Sequence, residues 1–164
     1  MDKLNSLDDL FVHELKDLYS AEQQILKALP KMAEATEHPE LRQAFEEHER
    51  VTRDQVQRLD MIADDLGVNI KGHKCKGMQG IIEEGEELIK SKSDGDVRDA
   101  GLIGAAQRVE HYEIAGYGTA RTFARRLGHT RAADLLQKTL DEEGNTDERL
   151  TRIAEGMVNR DAQR

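Results

Sequence analysis

The sequence predicts an all-α fold, a four-helix bundle with a long connection between its second and third helices. Three observations carry that reading. Helix-forming Ala, Leu, Glu, Gln, Lys and Arg dominate a 164-residue chain with two prolines, no tryptophan and 4% aromatics, a composition that disfavours sheet. Apolar residues recur at alternating three- and four-residue spacing through four long segments. The second and third of these segments are separated by about thirty residues, far more than antiparallel neighbours need.

The first helix is expected over about residues 6–36. Ser6, followed three residues later by Asp9, has the pattern of a helix start. The apolar spacing then runs to about Ala35, with Pro30 expected to kink the last turns. Pro39 suits the first turn of a second helix over about 39–66, which Gly67 ends. The crossover, 67–96, loses the periodicity around Gly72 and regains it from Met78 to Ile89, where a short amphipathic helix is expected. A third helix follows over about 97–127, ending at Gly128, and a fourth over about 130–158. A length of 164 residues is enough to bury a core without a disulfide or structural metal, and 1–164 reads as a single domain.

Charge and cysteine content narrow the function. Charged residues make up 35% of the chain and the formal net charge is -9, so a phosphate-backbone ligand, held by Lys and Arg, is not expected. Arg121, Arg125, Arg126 and Arg131 form the one basic cluster, and without interleaved aromatics they read as a solvated face. The single Cys75 rules out an internal disulfide framework and fits a reducing compartment. Met1 leads straight into Asp2 and Lys3 with no apolar leader, and no apolar run approaches the length of a membrane span. No membrane partner is expected, and a cytoplasmic location is.

The candidate chemistry lies where the inward stripes turn polar. The first helix presents Leu15, Leu18, Glu22, Ile25 and Leu29, and the second presents Leu41, Phe45, His48, Thr52, Gln55, Leu59 and Ile62. The third presents Leu102, Ala106, Val109, Glu113, Gly116 and Ala120, and the fourth presents Leu136, Leu140, Glu143, Asp147, Leu150 and Ala154. Four carboxylates, those of Glu22, Glu113, Glu143 and Asp147, interrupt three otherwise apolar stripes near mid-helix. Burying an unpaired carboxylate costs several kcal/mol, roughly. No Lys or Arg falls on the stripes at that level, so protonation or a divalent cation must compensate. Iron and manganese accept carboxylate and imidazole ligands, and a metal reading of the layer follows. The competing reading puts the acids at a bundle boundary in solvent. Asp17, His48, Thr52, Gln55 and Glu110 form a second group of possible ligands or ligand-orienting residues, and His48 reads equally well as a hydrogen-bonded core histidine.

The segments around these residues resemble the YciF/YciE-like branch of the ferritin superfamily. The resemblance runs through 17–23 on the first helix, 109–115 with 117–119 on the third, and 139–143 with Asp147 on the fourth. It also takes in His48, Thr52, Gln55 and Arg58, and in the crossover Cys75, Met78, Gly80, Glu83 and Glu84. It implies a ferritin-like bundle, a homodimer, and a bacterial protein associated with stress responses, with no reaction established. The wider superfamily holds two metals with one Glu on each of two helices and Glu-x-x-His on each of the other two. Glu22 and Glu113 match the single-Glu positions and Glu143 the first position of one pair. Thr52 and Gln55 stand where the other pair would be, and Thr146 stands where the second histidine would be, with Asp147 as a substitute ligand. The resemblance thus supports a di-iron carboxylate type of site holding one or two iron or manganese ions, or none, and carries over no activity; oxygen or peroxide chemistry is the expectation of the metal reading itself. The alternative is a non-catalytic dimeric bundle with a degenerate or empty site, acting through association by its acidic surface and the apolar face of the crossover helix.

Overall fold

The computed structural model describes residues 4–164, and every regular element in it is helical. Met1–Lys3, on which the absence of a leader was read, lie outside the described residues. Helix α1 spans Leu7–Ala35, α2 Pro39–Leu66, α3 Lys76–Lys90, α4 Gly95–Arg126 and α5 Thr130–Ile153. A π-helical turn, Ala154–Val158, and α6, Asn159–Ala162, prolong α5.

The ends form as local chemistry dictates. The Ser6 hydroxyl accepts the Asp9 amide at 3.0 Å, satisfying one of the donors a helix start leaves free. Pro39 occupies the first turn of α2, where its missing N–H costs nothing, and Gly67 closes the helix at φ 63°, in the left-handed region that favours glycine. His38 offers no side-chain cap. Asp99 of α4, buried, accepts from the amides of Glu37 at 3.1 Å and His38 at 2.7 Å and so ties the α1–α2 turn to α4.

Helix α1 packs on α2 and α4 on α5, each pair joined by a short turn, and the two pairs meet through α1–α4 and α2–α5. This is the ferritin-like bundle with its long α2–α4 crossover. Helix α3 lies across α1 and α4. Its apolar residues Ile81, Ile82, Leu88 and Ile89 are half-buried against the chain's own core, with Met78 fully buried. The face that the association reading offers to a partner is therefore largely used within the chain. No helix among the described residues is long and apolar enough to cross a membrane.

The apolar interior is divided in two. One core holds Ile25, Leu29, Leu41, Phe45, Met78, Leu102, Leu150 and Ile153. The other holds Phe11, Leu15, Leu18, Leu59, Ile62, Tyr117, Ala120 and Leu136. On every long helix the step from one core to the other crosses polar residues: Glu22 on α1, His48, Thr52 and Gln55 on α2, Glu110 and Glu113 on α4, and Glu143 on α5. All seven are buried.

Candidate metal centre

Four helices bring this polar layer together because each places its interrupting residue at the same level between the two cores. His48, Glu110, Glu113 and Glu143 each present a ligand atom within 4.8 Å of the others. His48 Nδ1 lies 3.3 Å from Glu110 Oε1, and its Nε2 lies 3.9 Å from Glu143 Oε2. Glu110 and Glu113 are one helical turn apart on the same face of α4, so both reach inward. Glu22 adjoins the group from α1 against Glu113, one of its oxygens accepting a short hydrogen bond from the buried Tyr117 hydroxyl.

Hydrogen-bond donors are scarce here. Both oxygens of Glu110 and of Glu113, one each of Glu22 and Glu143, and Nε2 of His48 are buried with no hydrogen-bond partner among the described residues. The donors present are the Tyr117 hydroxyl to Glu22 and the Gln55 amide, which donates to Glu143 and, at 3.2 Å, to Glu142. Thr52 is buried with its hydroxyl unpaired. Arg58 enters beside the stripe, but its guanidinium is committed to Glu142 at 2.6 and 2.8 Å and to the Thr139 hydroxyl at 2.9 Å. It lies close enough to ease the ionisation of Glu22 only slightly.

The electrostatics follow. Burial, then repulsion from Glu143, pushes the Glu22 carboxyl up to about 8 against the lowering effect of Tyr117. Burial and the facing carboxylates hold Glu110 and Glu113 well above the usual range, and burial lowers the His48 imidazole. An imidazole held toward its neutral form stands among acids that resist ionising, so the cluster lacks a positive charge of its own. Hard or borderline divalent ions supply the positive charge that these oxygens lack. The donor set of three or four carboxylates and one imidazole fits iron or manganese.

Asp147 and Asp17 stand outside this four-residue group, Asp147 near enough to Glu110 to help raise its carboxyl. Asp147 is half-buried at the rim, accepting from Gln107 Nε2 at 3.1 Å and 3.3 Å from the exposed His111 ring. Asp17 belongs to a separate network under the crossover. It accepts from the Tyr112 hydroxyl at 2.6 Å and the Cys75 thiol at 3.2 Å, and sits 3.3 Å from the His73 ring. The Cys75 thiol also caps α3 by accepting the Met78 amide at 3.3 Å. His48 and Glu110, which sequence reasoning ranked behind Asp147, thus stand with Glu113 and Glu143. The three-residue spacing of Glu110 and Glu113 was the available signal. The contact of Tyr117 with Glu22 was not foreseen, although Tyr117 follows Glu113 by one turn.

Comparison with known proteins agrees with this architecture. Residues 6–163 match a family described as a domain of unknown function, DUF892. The chain is 47% identical to YciF of Escherichia coli strain K12 over 161 residues, which cover 98% of this chain and 97% of that one. The crystal structure of the E. coli stress protein YciF superposes with a TM-score of 0.92 at 48% identity, covering 95% of this chain and 99% of that one. YcfI of Rhodopseudomonas palustris gives 0.88 at 40%, covering 91% and 95%. A protein from Xanthomonas campestris gives 0.75 at 23%, covering 93% and 94%, which attests the fold. With its four polar interruptions on the same bundle, the chain belongs to the YciF-like family, DUF892.

Proposed function

We propose that this chain is a metal-dependent protein of the cytoplasm that holds one or two iron or manganese ions in the layer between its two cores and reacts there with oxygen or peroxide. The observation that carries the reading is the set of buried carboxylate oxygens without donors on Glu22, Glu110, Glu113 and Glu143 beside an imidazole whose Nε2 is free. Glu110, Glu113, Glu143 and His48 are the ligand set, with Glu22 completing it from α1. When bound, the metal supplies Lewis-acid and one-electron chemistry toward a small oxidant.

The rest is the work of the chain. Tyr117 fixes one oxygen of Glu22 and leaves the other facing the layer. Gln55 orients Glu143 from α2, and Arg58 anchors Glu142 so that this neighbouring acid is held away from the centre. The two apolar cores exclude bulk water above and below.

The test is metal content after purification without chelator, with iron and manganese replete, for the wild type and Glu113→Ala. The wild type should retain metal and Glu113→Ala should lose most of it. Since an ion that binds only the folded state stabilises it, by about 2.7 kcal/mol at a hundredfold excess over Kd, the wild-type melting temperature should rise with added metal. A wild type that retains no metal under these conditions would refute the proposal.

A further inference from the structure

Beneath the crossover helix lies a partly open pocket of about 30 Å³ bounded by α1, α3 and α4, with His48 of α2 at its lining. Its walls are apolar, built from Ile25, Leu29, Ile82, Gly85, Ala106 and Val109. Its two ends differ. At the surface stand Lys31 and Glu86, paired at 2.8 Å and partly exposed. At the buried end stand His48 and Glu110, and Glu110 is fully buried with neither oxygen hydrogen-bonded among the described residues. Gly85 lines the pocket, and a Cβ there would make only ordinary contact with Ala105, at 3.5 Å, so the position has room for a side chain that a larger residue could use to fill the space.

The size and lining select the guest. A water needs roughly 10–15 Å³ on this measure and two to four polar partners, and apolar cavities stay dry and take up apolar guests. Here the partners exist only at one end. A charged or strongly hydrogen-bonding solute would shed its hydration along the walls without replacement, whereas a diatomic gas has almost none to shed. Polar solutes have another approach. A cleft of about 200 Å³ between α2 and α5, where Glu47, Glu142 and Arg149 stand among Phe45, Val51 and Leu150, also reaches His48 and is wider and more polar than the first pocket.

We propose that the pocket beneath α3 binds a small apolar molecule of the dioxygen class and presents it to the His48–Glu110 side of the centre, separately from the wider cleft between α2 and α5. The inference rests on the metal reading above for its purpose but not for its test. Metal-free crystals of the wild type and Gly85→Leu, pressurised with xenon, report the pocket directly. Xenon should occupy it in the wild type and be displaced in Gly85→Leu, with Ala28→Leu at the α1 wall as a second plug should Gly85→Leu not fold. In ferrous-loaded protein the plug should slow oxidation by dissolved dioxygen by about an order of magnitude and leave oxidation by hydrogen peroxide unchanged, since gating of access then limits only the apolar oxidant. Absence of xenon from the wild-type pocket, xenon persisting in both plugged variants, or equal slowing of both oxidants would overturn the proposal. A chain that takes up no ferrous ion fails the metal reading alone, and xenon occupancy still decides the pocket.

Discussion

Stability in the absence of metal should fall as pH rises through neutrality, and Glu22 sets a measurable part of that fall. Its carboxyl is raised from 4.5 to about 8 by burial and by Glu143. At about 1.4 kcal/mol per unit, ionised Glu22 is roughly 5 kcal/mol less favourable in the folded chain than in the unfolded one. A raised carboxyl binds its proton more tightly when folded, so its contribution is fully present below about pH 4.5 and is lost progressively up to about 8. Between pH 6 and 8 the loss from Glu22 alone integrates to about 2 kcal/mol, and Glu110 and Glu113 act in the same direction. His48 acts oppositely, since its lowered pKa makes the chain gain stability as pH rises through about 6.5, so the descent is cleanest above neutrality. Urea denaturation in the presence of chelator, at half-unit steps from pH 6 to 8, gives the slope. Glu22→Gln should flatten it by about 2 kcal/mol over that interval. A wild-type stability that is level or rising from pH 7 to 8, or one unaffected by Glu22→Gln, would show that these acids are already ionised in the metal-free fold, against the argument from burial.

Other perturbations have equally definite outcomes. Tyr117→Phe leaves a Glu22 oxygen buried without its donor and should cost about 1–3 kcal/mol in denaturant titrations, and metal affinity should fall about 10–100-fold by competition with a chelating dye. Arg58→Met removes two charge-assisted bonds to Glu142 and should destabilise by about 1.5–3 kcal/mol, with the loss read as a lower urea midpoint at unchanged slope. Gly116→Ala brings a Cβ to 2.8 Å from Leu18 Cδ2 and should lower stability by about 1–3 kcal/mol through overpacking, whereas introduced into a Leu18→Ala background, itself destabilised by the cavity, it should cost nothing further.

The elements most legible in the sequence are those whose determinants are local. Ser6 with Asp9, Pro39 and Gly67 mark helix ends within a few residues of themselves, and the structure places α2 at Pro39–Leu66, the span read from spacing. The polar layer was legible for the same reason, because Glu22, Glu113 and Glu143 each break an apolar stripe on their own helix. Which inward residues meet is decided by how far one helix slides along its neighbour, and periodicity on one helix is silent about that. His48 and Glu110 therefore looked secondary and Asp147 primary, although Asp147 ends one turn beyond Glu143, at the rim beside Gln107. Asp17 was less legible still. Its partners His73 and Cys75 come from the crossover, where no stripe exists to extrapolate.

The division of the interior also bears on how the molecule comes apart. Leu18 and Ile25 on α1, or Phe45 and Leu59 on α2, lie in different apolar clusters, and what joins the clusters is a storey of ionisable groups. The four long helices run unbroken through both compartments, so neither can open while the other stays shut. The cost of the acidic storey is therefore borne by the whole molecule and not by one half of it.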